Sequence, residues 1–163
     1  MTIQALEPHL LEDLRQSAQE ILETMVFITP QSIDAVPENS SMFRAPVIGL
    51  LGFTGTRSGT FVVRTDEIVA KTVAAKMLMM EVAELGSFQE TADAFGEVVN
   101  MLAGNFKNAW VTNGNQMELS TPNVIHGGEV SVRSDTDGCL RTCIRVQLDQ
   151  GIIDVGVHFE NKR

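Results

Sequence analysis

Glu97 and Asn100 are an acid and an amide at a spacing that invites chemistry. Residues at i and i+3 are neighbours on a helix, so in a helical stretch both side chains leave the same face. A carboxylate in that place can pair with a cation on a partner. A neutral amide beside it can accept one hydrogen bond and donate another, fixing the direction of a water molecule without taking its proton. Asp93 stands one turn before Glu97 on the same face, and Gly104 stands one turn beyond Asn100. A glycine in a helix interior costs roughly 1 kcal/mol against alanine, so its placement beside the acid–amide pair predicts that something approaches the backbone there. Lys107 and Asn108 continue the same face and are assigned peripheral contact at best.

The element that must position these groups runs from Ser87 to Trp110. Ser87 with Glu90 three residues on reads as a capping box, which predicts a helix start at Ser87. At ~100° per residue, Phe95, Val98, Val99, Leu102, Phe106 and Ala109 fall on one broad apolar side opposite the polar residues. Trp110 lies near the edge of that side, which suits core or dimer packing better than ligand stacking.

The run Glu97-Val-Val-Asn100-Met-Leu-Ala-Gly104-Asn105 resembles the E-x-x-N-x-x-x-G helix of the CheC, CheX and FliY response-regulator phosphatases, and its single copy points to CheX. Leu119-Ser120-Thr121-Pro122-Asn123-Val124-Ile125-His126-Gly127 is similar to the S-x-P-x-x-x-G strand and turn that follows this helix in the family. The resemblance implies a phosphatase that hydrolyses the aspartyl phosphate of a CheY-like receiver domain. It gives Asn100 the positioning of the attacking water, Glu97 a pairing with the receiver lysine, and Asp93 and Gly104 partner contact. The receiver supplies the Mg²⁺ in that scheme, and the protein has no cofactor of its own. The resemblance further implies a homodimer whose C-terminal strands pair across subunits, with an exposed alternation from Ile152 to Phe159 compatible with it. The alternative is a non-catalytic receiver-binding adaptor or flagellar-switch component.

At 163 residues the chain suits a single domain spanning residues 1–163, with 44% hydrophobic residues to build a core. Its formal charge of −9, without a run of Lys and Arg, argues against a nucleic-acid partner. Nothing approaches the ~20 apolar residues of a membrane span, and no signal peptide is visible, so cytoplasmic residence is the expectation. Cys139 and Cys143, four apart on an expected strand, stand about 13 Å from each other and cannot pair within it. They read as reduced side chains.

In chain order, a first amphipathic helix is expected from about Pro8 to Val26 and a loop from Gln31 to Met42. Two strands, Ala45 to Phe53 and Gly59 to Thr65, follow. Thr65 can cap a second helix running to about Glu84, whose Met77-Leu-Met-Met80 reads as core or interface filling. Four strands come after the central helix: Gln116 to Ser120, Glu129 to Arg133, Cys139 to Leu148 and Ile152 to Glu160. This order predicts an α+β domain with a mainly antiparallel sheet covered by helices. Aligning Glu20-Ile-Leu-Glu23 with Glu97-Val-Val-Asn100 suggests an internal duplication, the pseudo-duplicated CheC-like fold, in which the first helix carries a degenerate site. Glu20 and Glu23 are then expected to be dispensable for catalysis.

Other chemistry is disfavoured. His9, His126 and His158 are isolated, so no metal site is expected. His126-Gly127-Gly128 lacks an accompanying G-x-S-x-G elbow and reads as a tight turn.

Overall fold

In the computed structural model, which describes residues 3–38, 42–131 and 140–160, every strand pairing is antiparallel. Helix α1 (Ile3–Ile21) runs into a π-helical turn (Leu22–Val26), followed by β1 (Ser32–Val36), β2 (Met42–Gly55) and β3 (Gly59–Thr65). Helix α2 (Glu67–Met77), a short 3₁₀ turn (Val82–Glu84) and the long helix α3 (Phe88–Thr112) come next. The chain closes with β4 (Met117–Leu119), β5 (Asn123–Ser131), β6 (Arg141–Leu148) and β7 (Gly151–Phe159). The seven strands form one sheet in the order β1-β6-β7-β3-β2-β4, with β5 also pairing β2.

That order reads the same from either edge when α1 exchanges with α3, β1 with β4, β2 with β6 and β3 with β7. The duplication suspected from six residues of sequence is therefore written into the topology. Each half gives its edge strand to the other: β1 pairs β6, and β4 pairs β2.

Alternation explains why the sheet buries one face under the helices. Ile153, Val155, Val157 and Phe159 of β7, with Ile144, Val146 and Leu148 of β6 and Phe61 and Val63 of β3, are all buried in the main core. Leu10, Leu14 and Ala18 meet them from α1 at helical spacing, and Leu22 from the π-helical turn. Each large side chain buried this way contributes roughly 1.5–3 kcal/mol. On the opposite face Ile48 and Val62 are also fully buried, and beside them lies a polar cluster. There Arg64 Nη2 donates to Glu38 Oε2 at 2.9 Å, and His158 Nε2 stands 3.5 Å from the same oxygen. Burial alone would raise the Glu38 carboxyl, but His158 and the Arg64 charge hold it below its ordinary value.

Several sequence expectations are corrected. The stretch read as a loop from Gln31 contains β1, registered on β6 from Ser32 against Gln147 to Val36 against Cys143, with Ile33 buried. Asp66, not Thr65, caps α2: its Oδ1 accepts from the Val69 amide at 2.7 Å, while the Thr65 hydroxyl donates to the Ile152 carbonyl. Helix α2 ends at Met77, which packs against the core, while Leu78 and Met79 are exposed, so only the first residue of the run fills the core. His126-Gly127-Gly128 is part of strand β5, which starts at Asn123 and not at Glu129. Strand β7 presents no exposed alternation and no free edge, because β6 and β3 flank it on both sides. Cys139 and the end of the expected strand at Arg133 lie outside the described residues.

Candidate functional site

The 25-residue helix α3 is seated by contacts on its apolar side. Phe95, Val98, Val99, Leu102 and Phe106 are buried, as is Trp110 at 3% exposure, whose Nε1 donates to the Gln116 carbonyl at 3.3 Å. Trp110 is thus a core residue. Gly49 of β2 admits Val99 so closely that a β-carbon on it would stand 2.6 Å from Val99 Cγ2.

At the helix start the capping differs from the sequence reading. Ser87 occupies the cap position but its hydroxyl accepts no capping bond, and Glu90 Oε2 takes the amide of Gly86 at 2.8 Å, one residue before the cap. The first turn is pinned instead by an aromatic contact. Phe88 stacks on the His126 ring with centroids 3.6 Å apart, and His126 Nε2 lies 3.2 Å from Glu67 Oε2 at the start of α2. The Glu67 carboxyl sits below its usual range through hydrogen bonds from Lys71 and then His126. Sequence reasoning missed this role of His126, because nothing local connects it to Phe88 or Glu67.

The outward face of α3 brings together the residues singled out in the sequence. Asp93 and Glu97 are exposed, and Asn100 and Gly104 are half-buried. Asp93 accepts from Gln89 Nε2 at 2.7 Å. Glu97 and Asn100 have no hydrogen-bond or ion-pair partner among the described residues, so both polar ends are available to a binding partner. A β-carbon on Gly104 would meet nothing within 4 Å, so no internal packing demands this glycine. Lys107 and Asn108 follow one turn on, half-buried and exposed respectively.

On the flank of this face, Asn105 Nδ2 donates to Glu20 Oε2 of α1 at 2.9 Å. Glu23, in the π-helical turn that follows α1, accepts from Gln19. The first helix therefore does not hold a vacant copy of the acid–amide pair: Glu20 is already engaged with α3.

The S-x-P segment has a structural task. Ser120 Oγ accepts from the Gly52 amide at 2.9 Å and the Ser120 amide donates to the Gly52 carbonyl at 2.8 Å, tying the end of β4 to β2. Among the described residues no group of three or more His, Cys, Asp or Glu could hold a metal ion. Cys143 is buried, and desolvation followed by the charge of Glu38 pushes its thiol up to about 12, so it stays protonated at neutral pH. No helix of the described residues is long and apolar enough to cross a membrane.

Comparison with known proteins sets this geometry in a family. No curated protein matches the sequence. Among solved structures, a chemotaxis protein CheX from Desulfovibrio desulfuricans is 24% identical with a TM-score of 0.78, over 93% of this chain and 99% of that one. A CheC-like superfamily protein from Shewanella sp. PV-4 is 22% identical with a TM-score of 0.75, over 99% of this chain and 100% of that one. A chain of the CheX–CheY–BeF3–Mg²⁺ complex from Borrelia burgdorferi is 21% identical with a TM-score of 0.75, over 93% of this chain and 97% of that one. The family model described as chemotaxis phosphatase CheX matches residues 47–145, well over half of the chain and all of α3. With that match, the chain belongs to the CheX family of chemotaxis phosphatases.

Proposed function

We propose that this chain hydrolyses the aspartyl phosphate of a CheY-like receiver, with the outward face of α3 as the working surface. The observation that carries the reading is the pairing of opposites on one helix: a firmly buried apolar side, and an acid, an amide and a glycine facing out with no internal task. Asn100 orients the attacking water by accepting one hydrogen bond and donating another, leaving proton removal to the receiver's own carboxylates. Glu97 pairs with the receiver lysine and sets the register of docking, and Asp93 extends the acidic strip. Gly104 lets the receiver surface approach the helix backbone.

The Borrelia burgdorferi complex holds CheX and CheY together with Mg²⁺, which supports a receiver as the partner and as the source of the metal. Mg²⁺ on the receiver would supply charge stabilisation for the phosphoryl group in transfer. The reading places the protein in the cytoplasm with its receiver. In this reading it works as a homodimer, and pairing of two copies through the sheet would use the edges at β1 or at β4 and β5, since β7 is enclosed.

Phosphoryl loss from a phosphorylated receiver, followed with and without the protein, tests the proposal. Wild type should accelerate the loss, and Asn100→Ala should lower that rate by roughly 10² while binding is retained. Binding of the phosphorylated receiver without acceleration would make the protein an adaptor, and full activity in Asn100→Ala would remove the amide from the mechanism.

A further inference from the structure

Among the described residues, one side-chain hydrogen bond joins α3 to another helix, and it falls one residue beyond Gly104: Asn105 Nδ2 to Glu20 Oε2 at 2.9 Å. Its location is informative. The buried contacts of α3 fix its distance from the sheet, but at Gly104, inside the unbroken helix, no side chain restrains the backbone and no neighbour lies within 4 Å of the missing β-carbon. Asn105 is about 100° around the helix from Gly104, so its bond braces the flank and leaves the outward face clear. Asn100 lies only about 7.5 Å back along the axis at the ordinary helical rise.

The other end of the bond is firmly held. Ala18 and Leu22 on either side of Glu20 are fully buried, and the Thr24 hydroxyl donates to the Glu20 carbonyl at 2.7 Å where α1 gives way to its π-helical turn. In the alignment of the two helices by sequence, Glu20 of α1 falls opposite Glu97 of α3. Glu97 stands free on its helix, whereas Glu20 grips the sister helix.

We infer that Glu20, which the sequence alignment alone marks as dispensable, acts through Asn105 as a positioning residue that holds the outward face of α3 in register for the receiver, an inference that rests on the proposed phosphatase reading. A surface hydrogen bond adds little to global stability, so its effect is geometric, and misplacement of a positioned group costs rate. A carboxylate and a side-chain amide both present an acceptor to Asn105, so the contact depends on the acceptor and not on the charge.

The test compares Glu20→Ala, Glu20→Gln, Asn105→Ala and the Glu20→Ala/Asn105→Ala pair by two measurements: steady-state turnover of phosphorylated receiver, and amide hydrogen exchange along α3 without receiver. Glu20→Ala and Asn105→Ala should each lower kcat about tenfold with KM unchanged, the pair should be no worse than either, and Glu20→Gln should stay near wild type. Exchange around Asn105 should quicken in the alanine variants and not in Glu20→Gln. Wild-type kcat in Glu20→Ala, a loss confined to KM, or equal losses in Glu20→Gln would each overturn the assignment. A wild-type protein inert towards every receiver would sink the phosphatase reading instead, and unchanged exchange in both alanine variants would then still dispose of the brace.

Discussion

Val99 lies over Gly49 so closely that a β-carbon on the glycine would stand 2.6 Å from its Cγ2 and 3.4 Å from Phe95 Cε1. The site helix is seated on β2 through this absence of a side chain. Gly49→Ala should therefore overpack the interface and lower stability by about 1–3 kcal/mol, read as a fall in the denaturation midpoint at unchanged slope.

Gly104 is the reverse case. Nothing inside the molecule occupies the space of its β-carbon, so Gly104→Ala should raise helix stability by up to about 1 kcal/mol. The same methyl group would stand on the face assigned to the receiver. Thermal melting and receiver binding should move in opposite senses, the first up and the second weaker; improved stability with unaltered binding would free Gly104 from the docking surface.

Glu97 is exposed and unpaired among the described residues, so reversing its charge should leave the fold intact. Glu97→Lys should weaken receiver association, mostly through a slower on-rate at low ionic strength, with the difference shrinking as salt is added. Surface-immobilised receiver titrated at two salt concentrations measures this directly.

The Glu38 carboxyl is held below its ordinary value of 4.5 in the fold, against the opposing effect of burial, by His158 and Arg64. A depressed acid stabilises the native state above its unfolded pKa and loses that contribution as pH falls through the folded value. Glu38→Gln should thus cost about 2 kcal/mol at neutral pH, and the gap from wild type should close below about pH 4.5. Parallel melting curves for the two proteins down to acid would show that the cluster is not linked to protons in this way.

Met79 sits at φ 56° with 82% of its surface exposed, at the end of α2 where the Met79 amide donates to Lys76 and the Met80 amide to Ala75. This helix-ending geometry normally takes glycine, because a left-handed backbone costs other residues roughly 1–2 kcal/mol. Met79→Gly should raise the melting temperature by a few degrees, offset in part by the freer unfolded chain.

The face of α3 was legible because helical periodicity alone sets Asp93, Glu97, Asn100 and Gly104 opposite Phe95, Val99 and Phe106. Choices between equivalent partners were not. Ser87 and Glu90 have the residue types of a capping box, yet the carboxylate takes the Gly86 amide. Thr65 and Asp66 can each cap a helix, and the decision fell to Asp66 because the Ile152 carbonyl, far along the chain, engages the threonine. Strand β1 has one buried residue, Ile33, to announce it, and its pairing with β6 spans more than a hundred residues. The grip of Asn105 on Glu20 is hidden for the same reason, since two polar residues on separate helices show no pattern until the helices are packed.

Strand β7 is the last of the strands in sequence and fills the middle of the sheet, between β6 of its own half and β3 of the other. A growing chain therefore cannot complete the sheet until Gly151–Phe159 has been made. Until then β3, paired with β2 on one side, has its other edge open, and β1 has lacked its partner β6 for nearly as long. Because the halves exchange edge strands and β7 joins them, completion of the sheet waits for β7, and a nascent chain stopped before it leaves open strand edges on both sides of the gap.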